Sequence, residues 1–192
     1  MKQGSKEWKA WRGERITSSH FGDVLAGKQT KRRTEYMESI IDNLKGLPQF
    51  EEEEKPWFQH GKDWEAEARG EYGWKTQTDP VEVPVIVHPK YDFISCSPDL
   101  LVLNEGTWGG EIKCHKSMRN FTENILPTTH KPQVQGSLWI SGFAWWDFIS
   151  YWRNEEGTKS QISIHRVYPD LEYFCKLETA CVEFWAEVQE GL

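Results

Sequence analysis

Ser97-Pro98-Asp99-Leu100-Leu101-Val102-Leu103-Asn104-Glu105-Gly106-Thr107-Trp108-Gly109-Gly110-Glu111-Ile112-Lys113 sets two apolar runs on either side of the turn signal Asn104-Glu105-Gly106, the pattern of a β-hairpin. A turn centred on Glu105 puts Asp99 opposite Glu111 and Ser97 opposite Lys113. Side chains alternate along a strand, so Lys113 shares the face of Glu111 while Ile112 turns into the core. Two carboxylates and an ammonium then converge. Facing carboxylates repel, and in a partly buried site each costs free energy unless a divalent cation sits between them. Mg2+ suits that demand, because it takes one or two carboxylates, keeps several waters and completes its shell with phosphate oxygens. The lysine can orient or deprotonate a metal-held water, or neutralise charge building on a phosphodiester. The chemistry implied is metal-assisted phosphodiester hydrolysis; the competing reading is a surface hairpin with an ordinary Glu/Lys ion pair, the usual meaning of an isolated Glu-x-Lys.

A third acid strengthens the first reading. On a helix running from about Pro56 to Tyr72, with Trp57, Gly61, Trp64 and Ala68 on its inner stripe, Glu65 shares a face with Phe58, Gly61, Ala68 and Tyr72, while Asp63, Glu67 and Glu71 point elsewhere. An acid on an apolar face needs a partner: an ion pair with Arg69 four residues on, or a metal site, which is favoured. Gln133, just inside a helix that Pro132 starts, is placed to hydrogen-bond a phosphate or an attacking water, although a lone Gln is usually a surface residue.

Around this segment the elements run helices, sheet, helix, strands, helix. Thr17, Ser18 and Ser19 offer caps for a short helix through Phe21, Val24 and Leu25 that ends at Gly27. A second helix spans about Thr34 to Lys45, with Tyr36, Met37, Ile40, Ile41 and Leu44 on one face. Lys28, Lys31, Arg32 and Arg33 precede it, and cations disfavour a helix N-terminus, so the run is either a solvated loop or a phosphate-contacting patch. Glu51 to Glu54, after Gly46-Leu47-Pro48, read as a solvated loop. Strands are expected over Val81–Val87, Tyr91–Ser95, Leu100–Leu103, Gly110–Cys114, Phe143–Trp152 and Gln161–Val167, and helices over Leu126–Ile140 and from Asp170, the last with the stripe Phe174, Leu177, Cys181, Phe184 and Val188.

At 192 residues, with no internal repeat or composition break, the chain is expected to form one domain over 1–192. Its 23 Lys plus Arg against 30 Asp plus Glu give a net charge of -7, which excludes a generally basic surface for nonspecific DNA binding and confines any polyanion partner to a local basic groove. A mean hydropathy of -0.71 and the lack of an apolar run of about 20 residues argue against a membrane protein. Met1 to Lys9 has charge without a following apolar stretch, so no secretory signal and a cytoplasmic location are expected. Cys96, Cys114, Cys175 and Cys181 lack metal or redox spacing and read as reduced thiols; Cys114 and His115, adjacent on a strand, face opposite ways. Eleven Trp mean either a Trp-rich core or apolar faces buried between subunits.

Five pieces in one order, Gln3-Gly4-Ser5-x-x-Trp8-x-x-x-Arg12-x-x-x-Ile16-Thr17-Ser18-Ser19, His60-Gly61-Lys62-x-x-Glu65-x-x-Ala68-Arg69, Cys96-Ser97-Pro98-Asp99, Gly110-Glu111-Ile112-Lys113-Cys114 and Gln133-Val134-Gln135, resemble the phage lambda exonuclease (YqaJ-type viral recombinase) family of the PD-(D/E)xK nuclease superfamily. The resemblance covers most of the chain. It implies an α/β, restriction-endonuclease-like core, a mixed central β-sheet flanked by helices. It implies a 5′-to-3′ exonuclease that degrades one strand of linear double-stranded DNA from its ends to mononucleotides. The 3′ overhang left behind would serve a phage single-strand annealing protein, and the enzyme would be a toroidal homotrimer around DNA. By position, Glu65, Asp99, Glu111 and the Ile112 carbonyl would hold two Mg2+ (Mn2+ as a substitute), Lys113 would serve the attacking water, Gln133 would position the scissile phosphate or that lysine, and Arg12, Ser19 and Ser97 would bind the 5′-phosphate. The basic run from Lys28 to Arg33 moves toward a DNA contact. Members usually carry Gly where Leu100 stands and Pro where His115 stands, so the turn after Asp99 and the exit from the Lys113 strand are expected to differ in shape. His20, His60, His88, His130 and His165 are read as structural. The competing functions are a PD-(D/E)xK endonuclease or junction resolvase, against which the Arg12 pocket argues, and a non-hydrolytic DNA-end-binding module, which the three acids and Lys113 disfavour.

Overall fold

Ser5 starts the chain's regular structure: its hydroxyl accepts from Trp8 N and caps α1 (Lys6–Gly13). The computed structural model describes residues 1–47, 56–104 and 106–192, apart from the side chains of 56–63 and 104. The expectations for Pro48, Glu51 to Glu54, Glu105 and the side chains of Trp57, Phe58, His60, Gly61, Lys62 and Asp63 lie outside the described residues. After α1 come β1 (Ile16–Thr17), a 3-10 turn (Ser18–His20), α2 (Phe21–Val24), α3 (Lys31–Leu44), α4 (Pro56–Thr76), β2 (Ile86–Val87) and β3 (Ile94–Cys96). Then follow β4 (Leu100–Asn104), β5 (Gly106–His115), α5 (Lys131–Ser141), β6 (Trp146–Arg153), β7 (Ser160–Val167) and α6 (Leu171–Glu190).

The strands form two sheets. One has the order β4-β5-β6-β7, with the central pair parallel and the outer pairs antiparallel; the smaller, β1-β3-β2, pairs β1 and β3 parallel. The hairpin keeps the expected register, Leu100 facing Gly110 and Val102 facing Trp108. Ser97 does not face Lys113, however, because β3 has left for the other sheet. Pro98 has no N–H to donate, so the ladder breaks at Ser97-Pro98-Asp99. The expected strand Val81–Val87 shrinks to a bridge between Val81 and Leu101 plus β2 for the same reason, with Pro84 in its middle. Leu100, where the family usually has Gly, starts β4 without distortion: it is fully buried, and opposite Gly110 leaves it room, since a Cβ there would meet Leu100 Cγ at 2.8 Å. His115 ends β5 still paired with Trp152, so the strand does not stop early.

Alternation along β6 divides the core. Trp146 and Phe148 face a cluster with α2, α3, α5 and α6, whereas Ile149 and Tyr151 face Ala68 and Tyr72 of α4. Each large side chain buried this way stabilises the fold by roughly 1.5–3 kcal/mol. The α6 stripe is as expected at Leu177, Cys181, Phe184 and Val188, under an Asp170 cap. The four thiols are free. Among the described residues no helix is long and apolar enough to cross a membrane.

The helices differ from the sequence reading at several places: α4 runs on to Thr76 rather than ending at Tyr72, and α1, a short helix with only Trp8 and Trp11 on its apolar face and no fully buried residue, is not anticipated. The α5 helix starts at Lys131, not Leu126, with Pro132 in its first turn. The α3 helix starts at Lys31 rather than Thr34, and its first-turn Arg33 is buried with its guanidinium 2.8 Å from Glu187 of α6, to which Lys28 also pairs. Glu187 offsets the unfavourable dipole that argued against cations here. Arg33 is thereby committed within the fold, whereas Lys28, Lys31 and Arg32 stay exposed at the surface.

At Gly136 of α5 the helix backbone lies against the buried Phe21 ring, where a Cβ would overlap ring carbons. Gly136→Ala should lower stability by at least about 1 kcal/mol, since overpacking outweighs the helix propensity gained; urea denaturation at equal m-value measures it.

Candidate active site

The break at Ser97-Pro98-Asp99 leaves Asp99 outside both ladders but tied to its surroundings by three bonds. Asp99 N donates to Gly110 O at 3.0 Å, the Asp99 carboxylate accepts from Ile112 N at 2.7 Å, and Asp99 O accepts from Arg69 Nε at 2.7 Å. The first two fasten it to β5 next to Glu111, and the third to α4. Its carboxylate is therefore fixed where edge strand β4 begins.

Glu111 is buried and accepts from Lys113 Nζ at 2.5 Å, as alternation on β5 requires. Burial would lower the Lys113 pKa, but the charges of Glu111, Asp99 and Glu65 outweigh it and raise the pKa, so the side chain is a cation at neutral pH. Asp99 is pushed well above the usual carboxylate range, by burial first and then by Glu111 and Glu65. Glu65 is raised by burial and by Glu111 and Glu82, against the opposing charge of Arg69. The three expected acids thus feel one another's charge.

Glu65 also makes the ion pair that competed with a metal role: Arg69 lies 2.6 Å from its carboxylate, and 3.6 Å from Glu82. Sequence reasoning treated Arg69 only as a partner for Glu65. Its bond to the Asp99 carbonyl makes it a brace for the site, a role that no spacing rule signals because α4 and Asp99 are 30 residues apart. Among the described residues no three His, Cys, Asp or Glu side chains already close into a metal cage; Glu111 and Glu65 are instead turned to Lys113 and Arg69. The donor set, three carboxylates crowded enough to raise two of their pKa values, nonetheless suits a hard divalent cation such as Mg2+ better than a softer metal.

Beside the acids opens a cleft of about 470 Å³ lined by Arg12, Ser19, Ser97, Asp99, Glu65 and Gln133. All three residues expected to bind a terminal phosphate and three of those expected at the chemistry therefore face one space. Arg12, from α1, donates to Ser19 Oγ at 2.9 Å and stacks on the Trp8 ring at 4.2 Å. Burial lowers its pKa while Tyr36, Glu111 and Asp99 pull the other way; the residue is only partly buried and faces the cleft. Ser19 is also 3.1 Å from Thr17 Oγ1. Gln133 lies in the first turn of α5 on the cleft's wall, whereas Gln135 is structural, bonding Tyr168 O and Asp170 N. The cleft also takes in Lys2, Gln3 and Trp8, which sequence reasoning quoted or passed over without a role.

The histidines described with partners make contacts within the fold. His20 stacks on Tyr36, His88 accepts from Lys90 N and Tyr91 N, and His130 stacks on Phe148. Burial, with Lys113 and His115, lowers the His130 pKa to about 4, so the ring is neutral near the site.

A family model described as the YqaJ-like viral recombinase domain matches residues 7–144. Among solved structures, the alkaline exonuclease LHK-Exo from Laribacter hongkongensis aligns with a TM-score of 0.78 at 24% identity over 97% of this chain and 93% of its own. LHK-Exo in complex with dAMP gives 0.79 and 25% over the same shares. A phage related exonuclease from Haemophilus somnus 129PT gives 0.64 at 12% identity over 92% and 95%. No curated protein matches. The restriction-endonuclease-like α/β fold is the one expected, with its β-structure divided into two mixed sheets.

Because Asp99 is held among like charges, Asp99→Asn should raise the melting temperature of the metal-free protein at pH 7. A raised folded pKa means stability that is fully present below the ordinary carboxylate range and lost as pH rises through the folded value. The wild type should therefore lose this increment on going from acid to neutral pH, and the variant should lose less of it. Melting curves of both proteins from pH 5 to 8 check the sign.

Proposed function

Since the chain belongs to the YqaJ-like viral recombinase family, we propose that it is a Mg2+-dependent 5′-to-3′ exonuclease that shortens one strand of linear double-stranded DNA to mononucleotides. The observation that carries this reading is the single cleft in which Arg12, Ser19 and Ser97 meet Asp99, Glu65 and Gln133. A guanidinium with two hydroxyls suits a terminal phosphate, and carboxylates a short way off suit hydrolysis next to that terminus. A relative solved with dAMP carries a mononucleotide, the size of product such an enzyme releases.

Glu65, Asp99, Glu111 and the Ile112 carbonyl would hold two Mg2+ ions, with Mn2+ able to replace them. When bound, these would polarise the scissile phosphate and lower the pKa of the attacking water. The chain's own groups do the rest. Arg12, with Ser19 and Ser97, grips the 5′-phosphate and so sets which bond lies over the acids. Lys113, held protonated, acts as a hydrogen-bond donor and a fixed positive charge beside the phosphate as negative charge builds there. Gln133 donates to a phosphate oxygen from the start of α5. Arg69 keeps the Asp99 backbone in place while the carboxylate does its work.

A toroidal homotrimer is part of the proposal, since a ring reconciles the net charge of -7 with cations at the cleft, and Trp74, 77% exposed, offers an apolar face to a neighbour. The 3′ overhang would pass to a single-strand annealing protein in the host cytoplasm. A trimer mass by light scattering supports the ring; a stable monomer at micromolar concentration removes it.

The reading predicts release of mononucleotides from a 5′-phosphorylated strand of linear duplex only when Mg2+ is present, with a 3′ label retained on long fragments. Lys113→Ala should cut the rate about 10²–10³-fold with DNA binding retained. Internal cuts in a nicked circle would favour an endonuclease or junction resolvase, and binding of ends without any cleavage a non-hydrolytic module.

A further inference from the structure

Gln3 is part of the sequence pattern, yet neither phosphate gripping nor hydrolysis uses it. Its amide nitrogen donates to Val83 O at 2.7 Å and to Pro98 O at 2.8 Å. An amide NH2 has two protons, and both are spent on carbonyls from segments 80 and 95 residues away. Two acceptor partners also fix the amide's orientation, because its oxygen would be repelled by either. Pro98 joins Ser97, in the proposed phosphate pocket, to Asp99, among the proposed metal ligands. Gln3 thus holds the Pro98–Asp99 peptide, which lies between the two halves of the cleft.

The reason this bond matters lies in how α1 is attached. The α1 helix buries no residue completely; Trp8, Trp11 and Gly13 are half-buried, Gly13 against Asn43 of α3. On its other side polar bonds complete the attachment: Gln3 to Val83 and Pro98, and Trp8 Nε1 to Pro84 O at 2.8 Å. The same helix carries Arg12. Residues 3–12 therefore form a strap stitched to the 83–84 segment and to the turn before Asp99.

We propose that Gln3 is a positioning residue that sets the Ser97-Pro98-Asp99 turn against α1, so that end selection and metal retention depend on a side chain that touches neither ligand. This rests on the exonuclease reading above.

The test uses the full chain, Gln3→Ala and Gln3→Glu. Glu keeps the size but offers only acceptors to Val83 O and Pro98 O. Rates are expressed per folded molecule, from circular dichroism and melting curves. The wild type should prefer 5′-phosphate over 5′-hydroxyl ends. Both variants should lose at least about five-fold of that preference, and should need at least about five-fold more Mg2+ for half-maximal rate, with melting temperatures close to wild type. Mg2+ binding to Lys113→Ala with and without Gln3→Ala, followed by the shift in melting temperature, should show the same weakening with no turnover involved. The proposal is overturned if a cleaving wild type and both variants share one end preference and one Mg2+ requirement, or if loss of folded protein accounts for the whole drop. A wild type that cleaves no DNA defeats the exonuclease reading instead, and the melting shifts then decide the positioning role alone.

Discussion

The cleft depends on a failure of strand pairing. Were residues 94–104 one continuous strand, Ser97 would sit in a ladder opposite Lys113 and Asp99 would be one more paired residue. A proline cannot donate to a ladder, and at Pro98 the chain changes sheets. The Asp99 backbone stays tied to β5 through Gly110 O, its carboxylate is free to accept from Ile112 N, and its carbonyl is taken up by Arg69. Three elements with no common periodicity, a hairpin, a long helix and the N-terminal segment, are brought together at that one interruption.

This explains why the acids sit in a strained electrostatic balance. Asp99, Glu65 and Glu111 are held by backbone and by cations at positions that mutual repulsion alone would not choose. The raised proton affinity of Asp99 and Glu65 comes from the same crowding of negative charge that gives such a group affinity for a divalent ion. Arg69 and Lys113 keep the arrangement tolerable without filling it, each engaging one acid and leaving Asp99 to hydrogen bonds.

Much of this was legible in the sequence because the hairpin obeys local rules. The turn signal set the β4–β5 register, alternation put Glu111 and Lys113 on one face and Ile112 on the other, and helical spacing gave Glu65 a face shared with Ala68 and Tyr72. Three things were not legible. The sheet change at Pro98 is a matter of which distant strands are available to β3. The α1 helix, eight residues long, is too short for Trp8 and Trp11 to establish a period. The commitment of Arg33 depends on Glu187, 154 residues away; a run of cations reads alike in sequence whether a partner waits across the fold or not. The pairing of Arg33 is therefore visible only in the tertiary structure.

The weak anchoring of α1 separates two quantities that are commonly measured as one. The cooperative unit of this protein is the pair of apolar clusters on either side of β6, and α1 contributes no buried side chain to either. A melting transition consequently reports mainly on those clusters and on the charges packed beside them, and far less on α1, which can loosen as a local opening of low free energy while the rest remains intact. Thermostability and the setting of α1 are, in this architecture, largely separate properties.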